Sequence, residues 1–181
     1  MRVISGTARG LKLASLDGLD TRPTLDRVKE ALFSMLFDKL ADAVVLDLFA
    51  GSGALGIEAL SRYAVHCTFV DANPKAIDVV KLNLNKARFV DKSKVILSDS
   101  VEFLKKADGK YDLVFLDPPY AAGLYSEVLT LIKERKLLKK DGLIVAECDA
   151  SHELDAKGFN VVKNKIYGKV RLYVLEEPDA L

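Results

Sequence analysis

The segment Val44-Val45-Leu46-Asp47-Leu48-Phe49-Ala50-Gly51-Ser52-Gly53-Ala54-Leu55-Gly56 constrains the fold more than any other part of the chain. Val44 to Phe49 is a nearly continuous apolar run, the pattern of a strand covered on both faces. Glycines follow it, and a helical apolar pattern then runs from Ala54 to Arg62. A buried strand that turns through glycines into a helix is the opening unit of an α/β sheet. Gly51, Gly53 and Gly56 match the spacing G-x-G-x-x-G, which gives a tight turn, room for a ligand to approach and a close helix–strand contact.

The rest of the chain repeats this rhythm. Thr24 is read as the cap of a helix on which Val28, Ala31, Leu32, Met35 and Leu36 share a face, ending near Leu40. Cys67–Val70 reads as a strand that ends at Asp71; Asn73 caps and Pro74 opens a helix that reaches about Phe89. Then come a strand over Lys94–Leu97, a short helix over Val101–Lys105, a strand over Tyr111–Leu116, a helix over Tyr125–Arg135 and a strand over Leu143–Cys148. Phe159–Ile166 and Val170–Leu175 read as a hairpin around Gly168. Strand–helix units closed by a hairpin predict an open α/β sheet with helices on both faces, and 181 residues are too few for an eightfold barrel. Residues 1–23, broken by Gly6, Gly10, Gly18 and Pro23, are read as a basic N-terminal extension, and residues 24–181 as the domain.

A formal net charge of only +1 excludes a basic footprint over the whole chain, so charge placement matters more. Residues 1–16 carry Arg2, Arg9 and Lys12 without an acid, and residues 157–175 carry Lys157, Lys163, Lys165, Lys169 and Arg171 without one. If the two ends meet, they form a patch for a polyanion; separately, they are ordinary solvated side chains. Cys67 and Cys148 lie in strand-like runs and are read as buried free thiols. With His66 and His152 they make no metal-ligand spacing, so no metal is expected. The start has no apolar leader pattern and no run approaches membrane-spanning length, which predicts a cytoplasmic protein with no membrane partner.

Asp71, 18 residues beyond Gly53 at a strand tip, can bind both hydroxyls of a ribose. Up to this point a dinucleotide fits as well as any nucleoside. Asp47 favours a ligand with a positive end, because a carboxylate just before the glycine turn opposes a pyrophosphate at the helix N-terminus. It takes that positive group or orients the loop; its plainer reading is an acid that caps loop amides. Asp99 follows the next strand and either meets an adenine amine or caps the following helix, with Ser98 or Ser100 free to cap in its place.

The most specific signal is Asp117-Pro118-Pro119-Tyr120 at the end of a buried strand. Two prolines stiffen the chain there and hold the Asp117 carboxyl and the Pro118 carbonyl as fixed acceptors. An aromatic amine is a poor nucleophile because its lone pair is shared with the ring. Two acceptors on its protons hold it and favour lone-pair density on nitrogen as a methyl group arrives. Tyr120 can stack on the base. Asp117 is then an orienting acceptor more than a strong base, transfer is direct, and neither cysteine serves as a nucleophile.

Asp47 to Gly53, Asp71 and Asp117 to Tyr120 resemble the class I S-adenosylmethionine-dependent methyltransferases that carry an amino-methylation tetrad. Arg9-Gly10, Arg22-Pro23-Thr24, Asp26 to Phe33, Asp47 to Gly56 and Glu58 to Arg62 further resemble the bacterial small-subunit (16S) ribosomal RNA guanine-N2 methyltransferase family, over essentially the whole chain. Lys29 stands where many members carry Arg. The resemblance implies a Rossmann-like seven-stranded sheet of order 3-2-1-4-5-7-6 with strand 7 antiparallel, plus a small N-terminal extension. It implies S-adenosylmethionine as cofactor, held by Asp47, Phe49, Gly51, Gly53, Asp71, Ala72, Asp99 and Ser100, with no metal. Asp117, Pro118 and Tyr120 would be catalytic; Arg9, Arg22, Pro119, Tyr120 and Lys169 would hold substrate. The implied partner is small-subunit ribosomal RNA in an assembled or assembling subunit, met by a monomer. The same acceptor geometry also serves DNA adenine N6 or a protein glutamine amide. A nicotinamide dehydrogenase and a noncatalytic RNA-binding assembly factor are readings of other classes.

Overall fold

Seven strands form the sheet: β1 (Val44–Asp47), β2 (His66–Asp71), β3 (Ser93–Leu97), β4 (Tyr111–Leu116), β5 (Leu138–Asp149), β6 (Asn160–Tyr167) and β7 (Val170–Glu176). Their order is β3-β2-β1-β4-β5-β7-β6, with β7 antiparallel to both neighbours. This is the expected class I methyltransferase arrangement. The computed structural model describes residues 1–16, 23–119 and 123–178.

Alternation along the strands divides the core into two layers. Val45, Phe69, Phe115, Val145 and Val174 belong to one apolar cluster, with Leu32 and Phe33 of α1 (Pro23–Met35), Ile57 of α2 (Ala54–Ser61) and Val80 of α3 (Pro74–Ala87). Leu46, Val70, Leu116, Ile144 and Leu175 belong to the other, with Leu104 of α4 (Ser100–Lys106) and Leu129 of α5 (Leu124–Glu134). The central strands are therefore covered on both faces, which explains their unbroken hydrophobicity. Among the described residues, no helix is long and apolar enough to cross a membrane.

Several boundaries differ from the expected ones for local reasons. The first helix starts at Pro23, so Thr24 is its second residue and not its cap; it stops at Met35, and a 3₁₀ turn follows over Phe37–Lys39. Asn73 does cap α3, its side chain accepting from the Lys75 amide at 3.0 Å, with Pro74 in the first turn. Strand β5 starts at Leu138, earlier than expected, and its register against β4 shifts after Tyr111↔Leu138. Lys139-Lys140-Asp141-Gly142, with Asp141 at φ 62°, looks like a turn in the sequence and is an irregularity inside a strand. Cys67 is a buried free thiol, whereas Cys148 is only half-buried, because it lies near the open end of β5.

Residues 1–13 form a small hairpin closed by the Arg2↔Lys12 bridge, with Val3 and Leu13 in the core. A carboxylate fastens it. Glu58 of α2 is fully buried and accepts from the amides of Ile4 (2.9 Å) and Ser5 (3.0 Å). It also pairs with Lys29 of α1 at 3.1 Å and Arg62 at 2.8 Å. Burial holds the Lys29 amine below its ordinary pKa, against the pull of Glu58. The hydrogen bonds and ion pairs of residues 1–16 run to α1, α2 and α3; among the described residues none reaches the β6–β7 hairpin, so these contacts do not join the two basic ends.

Candidate active site

The carboxyl ends of β1, β2, β4 and β5 meet where the strand order reverses, the place at which open α/β sheets bind ligands. The glycine turn lies there. Gly51 and Gly53 have φ of 54° and 79°, a region that glycine enters without penalty. The Gly53 amide donates to Ala50 O at 2.7 Å, and the Gly51 amide donates to Asp71 Oδ2 at 2.8 Å. A Cβ on Gly51 would meet nothing within 4 Å, so the turn is open on that side. A Cβ on Gly56 would lie 2.3 Å from Phe69 Cε1 and 2.7 Å from Cys67 Sγ, which makes glycine the residue that lets α2 rest on β2.

Asp47 is 2% exposed, and its Oδ2 accepts from the Gly56 amide at 3.0 Å. It therefore orients the glycine turn from beneath. Removal from water raises its pKa to about 8, the Asp117 and Asp71 charges adding to this and the Gly56 amide opposing it. The folded chain thus keeps a proton that the unfolded chain, ionising near 3.8, gives up. Stability tied to this proton is fully present below about pH 4 and is lost as pH rises toward 8. Asp47→Asn keeps the shape and an acceptor for Gly56 without the titration. In urea unfolding its stability relative to wild type should climb between about pH 5 and about pH 8, by up to ~1.4 kcal/mol per unit; a constant difference would refute a protonated Asp47.

Asp71 stands at the tip of β2, where its second oxygen accepts from the Asn73 amide at 2.8 Å. Ala72 beside it is exposed and Phe49 is half-buried. Asp99 caps α4 itself, accepting from the amides of Val101 (2.9 Å) and Glu102 (3.1 Å) through Oδ1. The capping reading of Asp99 holds, and neither serine takes its place: Ser98 donates to the Asp99 carbonyl, and Ser100 is buried as the first helical residue.

Asp117 emerges at the end of β4, with Pro118 buried and Pro119 exposed. Tyr120, expected to stack on the base, and Arg22, expected to touch RNA, lie outside the described residues. The Asp117 carboxyl reaches solvent at the sheet edge, yet protein crowds it enough that desolvation raises its pKa above the ordinary carboxylate range. The sequence reading missed its neighbour. Leu116 pairs with Ala146 at the end of β4, so Asp117 and Glu147 are the next residues along the two neighbouring chains, near enough for the Asp117 charge to act on Glu147. Desolvation and then the Asp117 charge raise Glu147 as well. Among the described residues neither carboxyl has a cation or hydrogen-bond donor as partner. Cys148 follows on this adjacent strand, but burial raises its thiol to about 11, so it is no thiolate at neutral pH.

The basic residues separate into two groups. Lys169 is exposed in the β6–β7 turn, and its carbonyl accepts from the Ala150 amide just past β5, which places it at the same end of the sheet as Asp117. Arg9 lines a hollow with Lys86 and Arg88 at the far end of α3 from Pro74, away from that edge. The carboxyls of Asp71 and Asp117 line this edge, beside Asp47 and Glu147, whose raised pKa values keep them largely protonated at neutral pH. With an open glycine turn and a carboxylate at the β2 tip, this suits a ligand that carries both a cation and a ribose, as S-adenosylmethionine does, and disfavours a pyrophosphate. Among the described residues no cluster of His, Cys, Asp and Glu could hold a metal ion.

The chain as a whole is similar to known proteins. Over 180 residues the chain is 36% identical to "Ribosomal RNA small subunit methyltransferase D" of Escherichia coli, covering 97% of this chain and 90% of that protein. It is 46% identical over 157 residues to the YlbH protein of Bacillus subtilis, covering 85% of each. The solved structure of the yhhF protein from Escherichia coli superposes over 98% of both chains with a TM-score of 0.87 at 36% identity. The family model for "Conserved hypothetical protein 95" matches residues 1–176, and the chain belongs to that family.

Proposed function

We propose that this protein transfers a methyl group from S-adenosylmethionine to the exocyclic N2 amine of a guanine in small-subunit ribosomal RNA, working in the cytoplasm on an assembled or assembling subunit. The observation that carries this reading is the Asp117 carboxyl at the rigid tip of β4, on the same sheet edge as the open glycine turn. Full-length similarity to methyltransferases of the small ribosomal subunit supports the substrate class, and the resemblance of Arg9-Gly10, Arg22-Pro23-Thr24, Asp26 to Phe33, Asp47 to Gly56 and Glu58 to Arg62 to the guanine-N2 family supports guanine N2; the tetrad supports an amine.

In this reading Gly51 and Gly53 pass the cofactor's amino acid portion, Asp71 takes its ribose, and Asp47 fixes the turn from below. Phe49, Ala72, Asp99 and Ser100 border the remainder; Asp99 has Oδ2 free of helix amides for an adenine amine. The bound cofactor supplies an activated methyl on a sulfonium. Asp117 accepts one amine proton and the Pro118 carbonyl the other, which fixes the nitrogen for in-line attack. The proton shed after transfer passes through Asp117 to water. Pro119 and Tyr120 flank the base, which must leave its stack to arrive there. Lys169 and Arg22 are assigned to phosphates near the target. Arg9, with Lys86 and Arg88, would meet RNA running past the other end of α3.

Mass spectrometry of small-subunit RNA from cells lacking the gene tests the proposal. One N2-methylguanosine should be absent and return with the wild-type gene. An unchanged set of modified guanines would overturn the guanine assignment, and loss of N6-methyladenine from DNA or of a methylglutamine from protein of the same cells would shift it to that amine.

A further inference from the structure

The acids at the sheet edge have an electrostatic consequence for the methyl-transfer reading, on which the following rests. Asp47 and Glu147 continue the alternation of Val45 and Val145 along β1 and β5, and Asp117, the residue just past β4, follows between those strands, its charge acting on both. Among the described residues the surroundings bring them no counter-charge. Arg171 on β7 is opposite Cys148, one residue on from Glu147, and donates to the Tyr173 hydroxyl at 2.9 Å. Lys169 lies by Asp149. On α5 the Tyr125 hydroxyl donates to the Glu147 backbone carbonyl at 2.5 Å and leaves the carboxyl alone. The β7 residue paired with Glu147 is Leu172, which is fully buried.

Two adjacent carboxylates without a cation cannot both stay ionised at modest cost; one retains a proton. Surroundings decide which. Asp117 is exposed at the edge, whereas Glu147 is half-buried beside Leu172 and Val145. We propose that Asp117 and Glu147 hold one proton between them, carried by Glu147, and that Glu147 is thereby a positioning residue for the Asp117 carboxylate. The Glu147 O–H donates to one Asp117 oxygen and leaves the other for the target amine. The pair carries a single negative charge, which keeps Asp117 ionised where it must accept a proton. Glu147 keeps its own proton throughout; the one shed by the methylated amine leaves through Asp117. The upward shift of Glu147, from burial and then from the Asp117 charge, agrees with this sharing.

Glu147→Gln tests it, since the amide is a permanent donor in place of the protonated acid, and Glu147→Ala removes the donor. Methyl transfer to small subunits from cells lacking the gene is measured as kcat/KM between about pH 6.5 and about pH 9. The proposal expects Glu147→Gln to stay within about threefold of wild type at the acid end, and Glu147→Ala to fall about 10- to 100-fold. The ratio of wild type to Glu147→Gln should then decline about tenfold toward the alkaline end as wild type loses the shared proton; titration of Asp47 is common to both and cancels. A Gln variant as weak as the Ala variant, or a ratio that stays flat, overturns the proposal and leaves methyl transfer standing. Wild type that methylates no guanine overturns the underlying reading instead. Should Glu147→Gln fail to fold, infrared difference spectra in an Asp47→Asn background carry the test. The protonated-carboxyl band must vanish with rising pH, and it must vanish at lower pH when Asp117→Ala is added; a band that stays in place, or none at all, overturns the sharing.

Discussion

Asp117→Ala should lose about 10²–10³-fold or more in turnover while S-adenosylmethionine binds within a few-fold of wild type. The magnitude is that of a preorganised polar group aimed at the atom whose charge changes during reaction. Stability should move the other way. Apart from the proton shared with Glu147, the Asp117 carboxyl has no partner among the described residues; it loses solvation in the fold and adds its charge to Asp47 and Glu147. Its removal relieves all three, so the variant should unfold at equal or higher denaturant concentration at neutral pH, as expected where a site trades stability for function. Calorimetric titration, a methyl-incorporation assay and urea unfolding together decide it. Near-wild-type turnover would end the catalytic assignment, and a cofactor affinity that fell with turnover would move Asp117 into the cofactor site.

Glu58→Ala should destabilise the fold by about 3–5 kcal/mol, the usual cost of removing one member of a buried ion cluster. Glu58 is fully buried and serves two amides and two cations at once. Its loss strands Lys29, which is 4% exposed and otherwise donates to the Arg2 carbonyl, and frees the amides of Ile4 and Ser5. Ser61, which binds the Ser5 carbonyl and the Ala8 amide, would remain to hold the hairpin. Glu58→Gln keeps two acceptor contacts and should cost less. Urea midpoints resolve both, and an Ala variant within about 1 kcal/mol of wild type would show that the cluster contributes little beyond packing.

The strand–helix rhythm, the glycine turn and the Asp117 tetrad were legible because each is written in contiguous residues. What escaped depends on contacts between distant segments. Glu147 sits in an apolar run as one polar residue among many, and only the β4–β5 register sets it beside Asp117. Glu58 reads as a polar position on a helix; its four partners are Ile4 and Ser5 of the first residues, Lys29 of α1 and Arg62 just past α2. The start of β5 was hidden because Lys139-Lys140-Asp141-Gly142 has turn composition, and pairing with β4 overrides it. Asp99 could cap or bind by sequence alone; two amides at hydrogen-bond distance decide for the cap on one oxygen and leave the other.

The placement of β7 between β5 and β6 also bears on how the molecule is completed during synthesis. The chain emerges in numerical order, so every strand through β5 can assemble while residues 170–176 are still to come. Until they arrive, β5 offers a row of unsatisfied amides and carbonyls to any other extended segment. Hairpin closure is local and fast, so the last two strands can form as a unit and dock together, covering that margin in one step. The acidic pair beside Leu172 thus acquires its final surroundings only when the last strand docks.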